Sequence, residues 1–299
     1  MNLKTNLLFI SLLLLSVVAQ CAFGYFPFAF FAFPLDLLLA LIWIGGMGYT
    51  YKEKRSSVAV RIWLSPQCTY WTLGWFLGGC LVIGLFPQLS VQGAVRKSGV
   101  LSTLGCYHFT SSWIFVTGLF GLLTHLGMIT LRRFFLPGRI QWRFVLNHAG
   151  LWLALFAGFI GSTEEQTLRI PVFRTSSNNE DFTEEGNKVY LEKSLQLTDF
   201  VVEHYPNGSP RHFFAEISVD GKPVHLEVNH PYAASWSEDY YLTSYDVKSP
   251  EPQYCVVQIV REPLKYLMWL GIVMMLCGGC LLFLAGPDRE KTSFPEKSC

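Results

Sequence analysis

The chain has 299 residues, of which 51% are hydrophobic and only 15% charged, a balance that excludes an ordinary soluble globule. A formal net charge of +1 offers no basic surface for nucleic acid. The mean hydropathy of +0.32 points to the membrane.

A spanning helix needs roughly 20 mostly apolar residues, because about 30 Å of hydrocarbon is crossed at 1.5 Å per residue. Six stretches meet that length: roughly 6–24, 33–51, 69–86, 109–131, 145–162 and 264–285. In the first, Leu12 to Ala19 also fits the apolar region of a cleaved signal peptide, and Ala19-Gln20-Cys21 stands where a lipoprotein site would lie. Gln20 suits such a site poorly and a second span follows at once, so retention is the favoured reading. The first two spans form a hairpin around Phe26-Pro27 and Pro34, crowded with the aromatic residues found at membrane interfaces.

The third span opens at Ser65-Pro66 and leaves through Phe86-Pro87-Gln88. A Ser- and Gly-rich loop leads to the fourth, which begins after His108, holds Gly118, Gly121 and Gly127 for close helix packing, and stops at Arg132-Arg133. Basic residues mark the cytoplasmic loops. Lys52, Lys54, Arg55 and Arg61 follow the second span; Arg132, Arg133, Arg139 and Arg143 separate the fourth and fifth; Arg289, Lys291 and Lys297 lie in the tail. The alternation puts Ser162 to Arg261 outside the cytoplasm, which in a Gram-negative cell is the periplasm.

That outer stretch reads as β. Lys188 to Tyr205 alternates Val189, Leu191, Leu195, Leu197 and Phe200 with polar neighbours. Phe213 to Val219 turns at Asp220-Gly221 into Pro223 to Val228, a hairpin, and Tyr240 to Tyr245 and Tyr254 to Val260 supply two more strands. About a hundred residues suffice for a small sandwich or open barrel. The expected architecture is a polytopic α-helical membrane protein of about six transmembrane helices, with a β-rich extracytoplasmic domain inserted between the fifth and sixth. Its parts are an N-terminal hairpin (1–59), a membrane core (60–162), the β domain (163–262), and a last helix with a short cytoplasmic tail (263–299).

Ionisable side chains within spans are costly and default to functional candidates. His125 lies seven residues before Arg132, roughly 10 Å inside the cytoplasmic face. His148 enters the fifth span from the same side, and His108 sits at the outer mouth of the fourth. His125 and His148 on neighbouring helices suit the two axial positions of a haem iron. The alternative is a pair of structural histidines bonded to backbone carbonyls. His204, His212, His225 and His230, all in the outer domain, read as solvated surface residues. Cys277-Gly278-Gly279-Cys280 has redox spacing but sits mid-span, where small residues serve helix packing. Cys106 and Cys255 are both expected outside, and a disulfide between them is left open. The sequence contains no phosphate-binding loop, nucleophile elbow or His-Glu-x-x-His zinc motif, which leaves carrier, chaperone or assembly factor as roles.

Several blocks together resemble the ResB-like (CcsB) family of cytochrome c biogenesis, in a short form. They are Leu64-Ser65-Pro66 through Phe86-Pro87-Gln88, Trp113 to Arg133, Leu146-Asn147-His148-Ala149-Gly150-Leu151-Trp152, Phe200 to Pro206, Leu226 to Pro231, Tyr240 to Asp246, and Val257 to Pro263. The resemblance spans about residues 60 to 285. It implies a membrane subunit of a haem-ligation complex that moves or holds haem b transiently and presents apocytochrome c for thioether attachment. The implied setting is the inner (cytoplasmic) membrane, and the implied partner is a CcsA-like protein, whose Trp-rich haem-handling loop is absent here; Trp236-Ser237-Glu238-Asp239 is no substitute. On this reading the chain is a non-catalytic or co-catalytic part of a cytochrome c synthetase, and a transmembrane histidine, His125 or His148, holds haem, with His108 at the outer exit. The rival readings are a haem-free scaffold for the partner and a membrane thiol-redox protein using Cys277 and Cys280. The leading hairpin, 1–59, and the shortness of the outer domain depart from the family pattern.

Overall fold

The structure, a computed structural model, describes residues 2–135, 140–161, 165–182, 188–247, 249 and 251–285. Arg139, the domain boundary expected at Ser162, and the tail carrying Arg289, Lys291 and Lys297 lie outside the described residues. The chain divides into two compact units, one of Met1–Thr163 with Tyr266–Cys299 and one of Glu164–Lys265.

The first unit contains helices α1 (Asn2–Phe23), α2 (Leu35–Glu53), α3 (Val58–Trp63), α4 (Pro66–Leu85), α5 (Val91–Val95), α6 (Val100–Thr103), α7 (Trp113–Phe134), α8 (Trp142–Gly161) and α9 (Lys265–Ala285). Among the described residues, α1, α4, α7, α8 and α9 are long and apolar enough to cross a bilayer. The expected second span, α2, is also a helix, 19 residues long, but Asp36 in its first turn and Lys52 in its last dilute its apolar run. Five helices thus meet the criterion where the sequence predicts about six.

Helix starts follow local chemistry. Ser65 Oγ accepts the Cys68 amide at 3.2 Å with Pro66 at the first helical position of α4, and Ser112 Oγ accepts the Phe115 amide at 3.1 Å at the start of α7. The helix α7 is the centre of the unit: Leu119, Leu122, Leu123, Leu126 and Met128 are all buried. In α1, which packs on α4 and α7, Phe9 stacks on Trp71 at 5.9 Å, and Asn6 Oδ1 accepts the Trp71 indole N–H at 2.9 Å. The buried Gln20 accepts the Trp113 amide at 3.0 Å and donates to the Thr103 carbonyl. α1 is therefore an integral helix of the unit, tied to it at both ends. The outward faces keep apolar side chains such as Leu14, Leu41, Leu77 and Leu81 exposed, as lipid contact requires.

The second unit is two four-stranded antiparallel sheets, in strand order β1-β8-β7-β6 and β2-β3-β4-β5. The strands are β1 (Gln166–Phe173), β2 (Asn178–Phe182), β3 (Lys188–His204), β4 (Pro210–Val219), β5 (Lys222–Glu227), β6 (Tyr232–Ser235), β7 (Glu238–Tyr245) and β8 (Tyr254–Arg261). Side chains from both sheets, among them Ile170, Val257 and Ile259 from one and Leu195, Ile217 and Leu226 from the other, share one core. The unit is thus a β-sandwich, the first of the two forms anticipated.

The strand pattern has identifiable causes. Leu195 and Leu197 are buried in β3, and the next buried residue is Phe200 because a bulge between Leu197 and Asp199 switches the inward face by one residue. Asp220 and Gly221 both take positive φ, 48° and 81°, forming the predicted turn between β4 and β5. β1 alternates too, with Leu168, Ile170 and Val172 inward, and Pro171 falls on an outward position of an edge strand, where a proline is tolerated.

Cys106 and Cys255 are both free thiols, each buried in its own unit. Burial pushes the Cys255 thiol up to about 12 from 9.0. That rise lowers the thiolate fraction ~1000-fold near neutral pH. Peptide mapping after iodoacetamide at pH 8 is expected to find Cys255 unmodified in the native protein and modified in urea. The stability tied to the protonated thiol is complete below the unfolded value of 9.0 and is lost as pH rises toward about 12.

Candidate functional site

The three transmembrane and mouth histidines share one bonding scheme. In each, Nδ1 faces a backbone carbonyl: Trp63 for His125 at 2.6 Å, Phe144 for His148 at 2.9 Å, and Leu89 for His108 at 2.6 Å. A carbonyl only accepts, so Nδ1 carries the proton and Nε2 presents its lone pair. This is the orientation in which protein histidines bind metals, the bonded Nδ1–H fixing tautomer and ring plane. It also has the bonds that the structural alternative anticipated, so the scheme alone does not separate the two readings. What distinguishes the three residues is the far side of each ring.

For His125 the far side is occupied. The helix α3 ends at Trp63, leaving that carbonyl without an intrahelical partner, and α4 begins three residues later. His125 takes the Trp63 carbonyl through Nδ1–H, and its Nε2 accepts the Thr69 hydroxyl at 2.9 Å. Only 3% exposed, the ring braces the α3–α4 corner against α7 with both nitrogens used. The sequence offers no signal for Trp63 and Thr69 as its partners.

His148 is half-buried, and its Nε2 has no hydrogen-bond partner among the described residues. The imidazole stacks on Phe144 with centroids 3.7 Å apart and planes 14° apart, and the Arg133 guanidinium sits 5.1 Å from the same phenyl ring. The ring is therefore held by its own helix, with a nitrogen to offer. His125 and His148 stand on α7 and α8, which pack together.

His108 belongs to the other end of α7. It sits in the 3₁₀ segment Cys106–Ser111 with φ −149° and ψ 60°, and the Tyr25 ring meets it edge-on at 5.6 Å. Its Nε2 is likewise without a protein partner among the described residues. From Trp113 to His125 the helix rises roughly 18 Å, so His125 and His148 share a pair of packed helices while His108 lies apart, beyond the start of α7.

The donor set therefore fits an iron-bound haem in part. His148 and His108 each present an oriented, unshared Nε2, whereas His125 would have to give up Thr69. The cavities of about 730, 330 and 460 Å³ in this unit are lined by other residues.

In the β-sandwich, His212 Nε2 lies 2.7 Å from Glu227 and His225 Nδ1 2.6 Å from Glu216. His230 is 3.5 Å from the same Glu227 oxygen. Among the described residues no group of three or more His, Cys, Asp or Glu is placed to hold a metal ion. Cys277 and Cys280 are free and exposed on α9, and Gly278 between them lies against Asn147 of α8, as the helix-packing reading of that spacing requires.

The sequence model of the ResB-like family, a cytochrome c biogenesis family, matches residues 140–251, so the resemblance is borne out over α8 and most of the sandwich. Of the three histidines, His148 alone lies in the matched stretch. No curated protein matches the chain. A solved structure named Cytochrome c Heme Lyase CcmF is 13% identical over 71% of this chain and 34% of that one, with a TM-score of 0.34, too low for the likeness to carry an argument. The chain spans about a third of that protein's length.

Proposed function

We propose that this chain, whose residues 140–251 match the ResB-like family, is a membrane assembly factor of cytochrome c biogenesis that helps hold haem beside a CcsA-like partner and presents apocytochrome c from its β-sandwich. The observation that carries the reading is His148: inside the matched stretch, locked by Nδ1 and by Phe144, with Nε2 unshared. His148 would hold the iron from this chain. His125 positions α7 against the α3–α4 corner, and His108 offers a second ligand near the other end of the same helix.

Bound haem supplies the vinyl groups to which cytochrome thiols add. This chain contributes orientation and water exclusion: Trp152 and Phe156, about one and two turns along α8 from His148, form an aromatic layer with Trp43, Trp152 stacked on Phe156 at 4.7 Å and donating to the Leu123 carbonyl at 2.9 Å. Held reactants raise effective concentration without a dedicated acid or base. In the orientation that the loop charges imply, the sandwich faces the periplasm across the inner membrane.

The test is maturation in cells. Deleting the gene is expected to abolish covalently haem-bound cytochrome c on a haem-stained gel, wild type to restore it, and a variant with Cys277 and Cys280 both changed to serine to restore it equally. Full maturation without the chain rules the assembly role out, and failure of the Cys277/Cys280 double variant alone would return the thiol-redox reading.

A further inference from the structure

The segment between α1 and α2 folds into a wall of rings at the end of the helical unit opposite Arg132 and Arg133. Phe26 lies 4.9 Å from Phe28, stacks on Phe31 at 5.0 Å and meets the Trp113 indole edge-on at 4.9 Å. With Trp43 these rings border a cavity of about 330 Å³, within the size range of small-ligand sites. Among the described residues one charged side chain lines it: Asp36, in the first turn of α2 and only 7% exposed. Asp36 Oδ1 and Trp113 Nε1 are both buried and, among the described residues, both without a hydrogen-bond partner.

Those two atoms state what is wanted. A buried carboxylate oxygen requires an N–H or O–H donor, and preferably a cation. The indole N–H requires an acceptor. Surrounding ring faces attract a cation and repel an anion placed alone. A ligand that meets all three demands has an N–H-bearing cation close to an anionic oxygen. Among the described residues no lysine or arginine lines the cavity. Beside it on α2, Leu37, Leu38 and Leu41 are exposed and offer a track for acyl chains.

We propose that this cavity binds the headgroup of a phospholipid with a primary ammonium, a phosphatidylethanolamine, its ammonium donating to Asp36 and lying on the ring faces while a phosphate oxygen accepts from Trp113 Nε1–H. A trimethylammonium headgroup has no N–H and leaves Oδ1 without a donor. A glycerol headgroup brings no cation. The choice among lipids therefore rests on Asp36.

Native mass spectrometry of the full chain released from nanodiscs of equal phosphatidylethanolamine, phosphatidylcholine and phosphatidylglycerol tests this. Wild type is expected to retain the ethanolamine lipid about tenfold over either of the others, the preference that one charge-assisted hydrogen bond supports. Asp36→Asn is expected to lose that preference and Trp113→Phe to weaken it. Equal retention of the three lipids by wild type, or an unchanged preference in a folded Asp36→Asn, overturns the proposal. Should Asp36→Asn fail to fold, the melting temperature of wild type in detergent decides: a rise with added short-chain ethanolamine lipid alone supports the site, and equal rises with all three overturn it.

Discussion

Replacing Gly150 or Gly271 with leucine is expected to destabilise the helical unit by at least about 3 kcal/mol, the upper range for overpacking, because the obstruction is backbone and cannot turn aside. A Cβ on Gly150 would stand 2.6 Å from the Gly271 carbonyl oxygen and 2.8 Å from the Met275 nitrogen. One on Gly271 would meet the Ala154 nitrogen and the Gly150 oxygen, both at 2.6 Å. Farther along, Gly278 lies against Asn147, with a Cβ there 2.7 Å from Nδ2. Between α8 and α9 the backbones themselves touch, and in a bilayer such close packing of small residues replaces the hydrophobic drive that lipid removes. Thermal unfolding in detergent should show a large fall in Tm for Gly150→Leu and Gly271→Leu. Gly45→Leu is the control, since nothing lies within 4 Å of its added Cβ, and its Tm should hold. Equal behaviour of all three variants would mean that α8 and α9 do not cross at these glycines. The crossing also fixes α8, the helix that carries His148, to α9.

The second large effect concerns that histidine. Co-purified with the CcsA-like partner proposed for it, wild type is expected to show a Soret band. His148→Ala should lose at least about tenfold in haem affinity, comparable with or beyond what supporting residues around a metal contribute. Added imidazole should restore the band, because Phe144 and its carbonyl still frame the vacated space. His125→Ala has a different signature. It removes two hydrogen bonds between α7 and the α3–α4 corner, so stability falls by about 1–3 kcal/mol while haem per folded complex is kept. The reverse outcome, with the band lost in His125→Ala and intact in His148→Ala, would move the ligand to α7. Absence of haem from every folded, partner-bound preparation would support the haem-free scaffold reading instead.

Much of the fold is legible in the amino-acid sequence wherever the deciding interactions are local. Five of the six apolar stretches are helices that can span a bilayer, since hydropathy over roughly 20 residues suffices for that step. Asp220-Gly221 marks its hairpin because both positions take positive φ, which that dipeptide tolerates. The run from Lys188 forms β3 over 17 residues. Where a local rule is broken, the sequence is mute: Pro171 hides β1, which survives at a sheet edge, and Asp36 and Lys52 leave α2 short of the apolar criterion although it folds as a helix.

The candidate histidines are equally visible, as ionisable residues in or beside apolar runs, but their standing is not. His125 and His148 look alike in sequence; one has its Nε2 taken by Thr69, 56 positions away, and its Nδ1 by Trp63, 62 positions away, while the other bonds only within its own helix. Asp36 reads only as a blemish in an apolar span until Trp113 and the Phe26–Phe31 turn close around it. By itself the sequence determined the membrane segments, the β character of the second unit and the roster of ionisable side chains, because hydropathy, alternation and turn chemistry act over a few neighbouring residues. Only the tertiary structure decided which nitrogen is free, which glycines let two backbones touch and which carboxylate is enclosed, because each depends on atoms that folding brings together from distant parts of the chain.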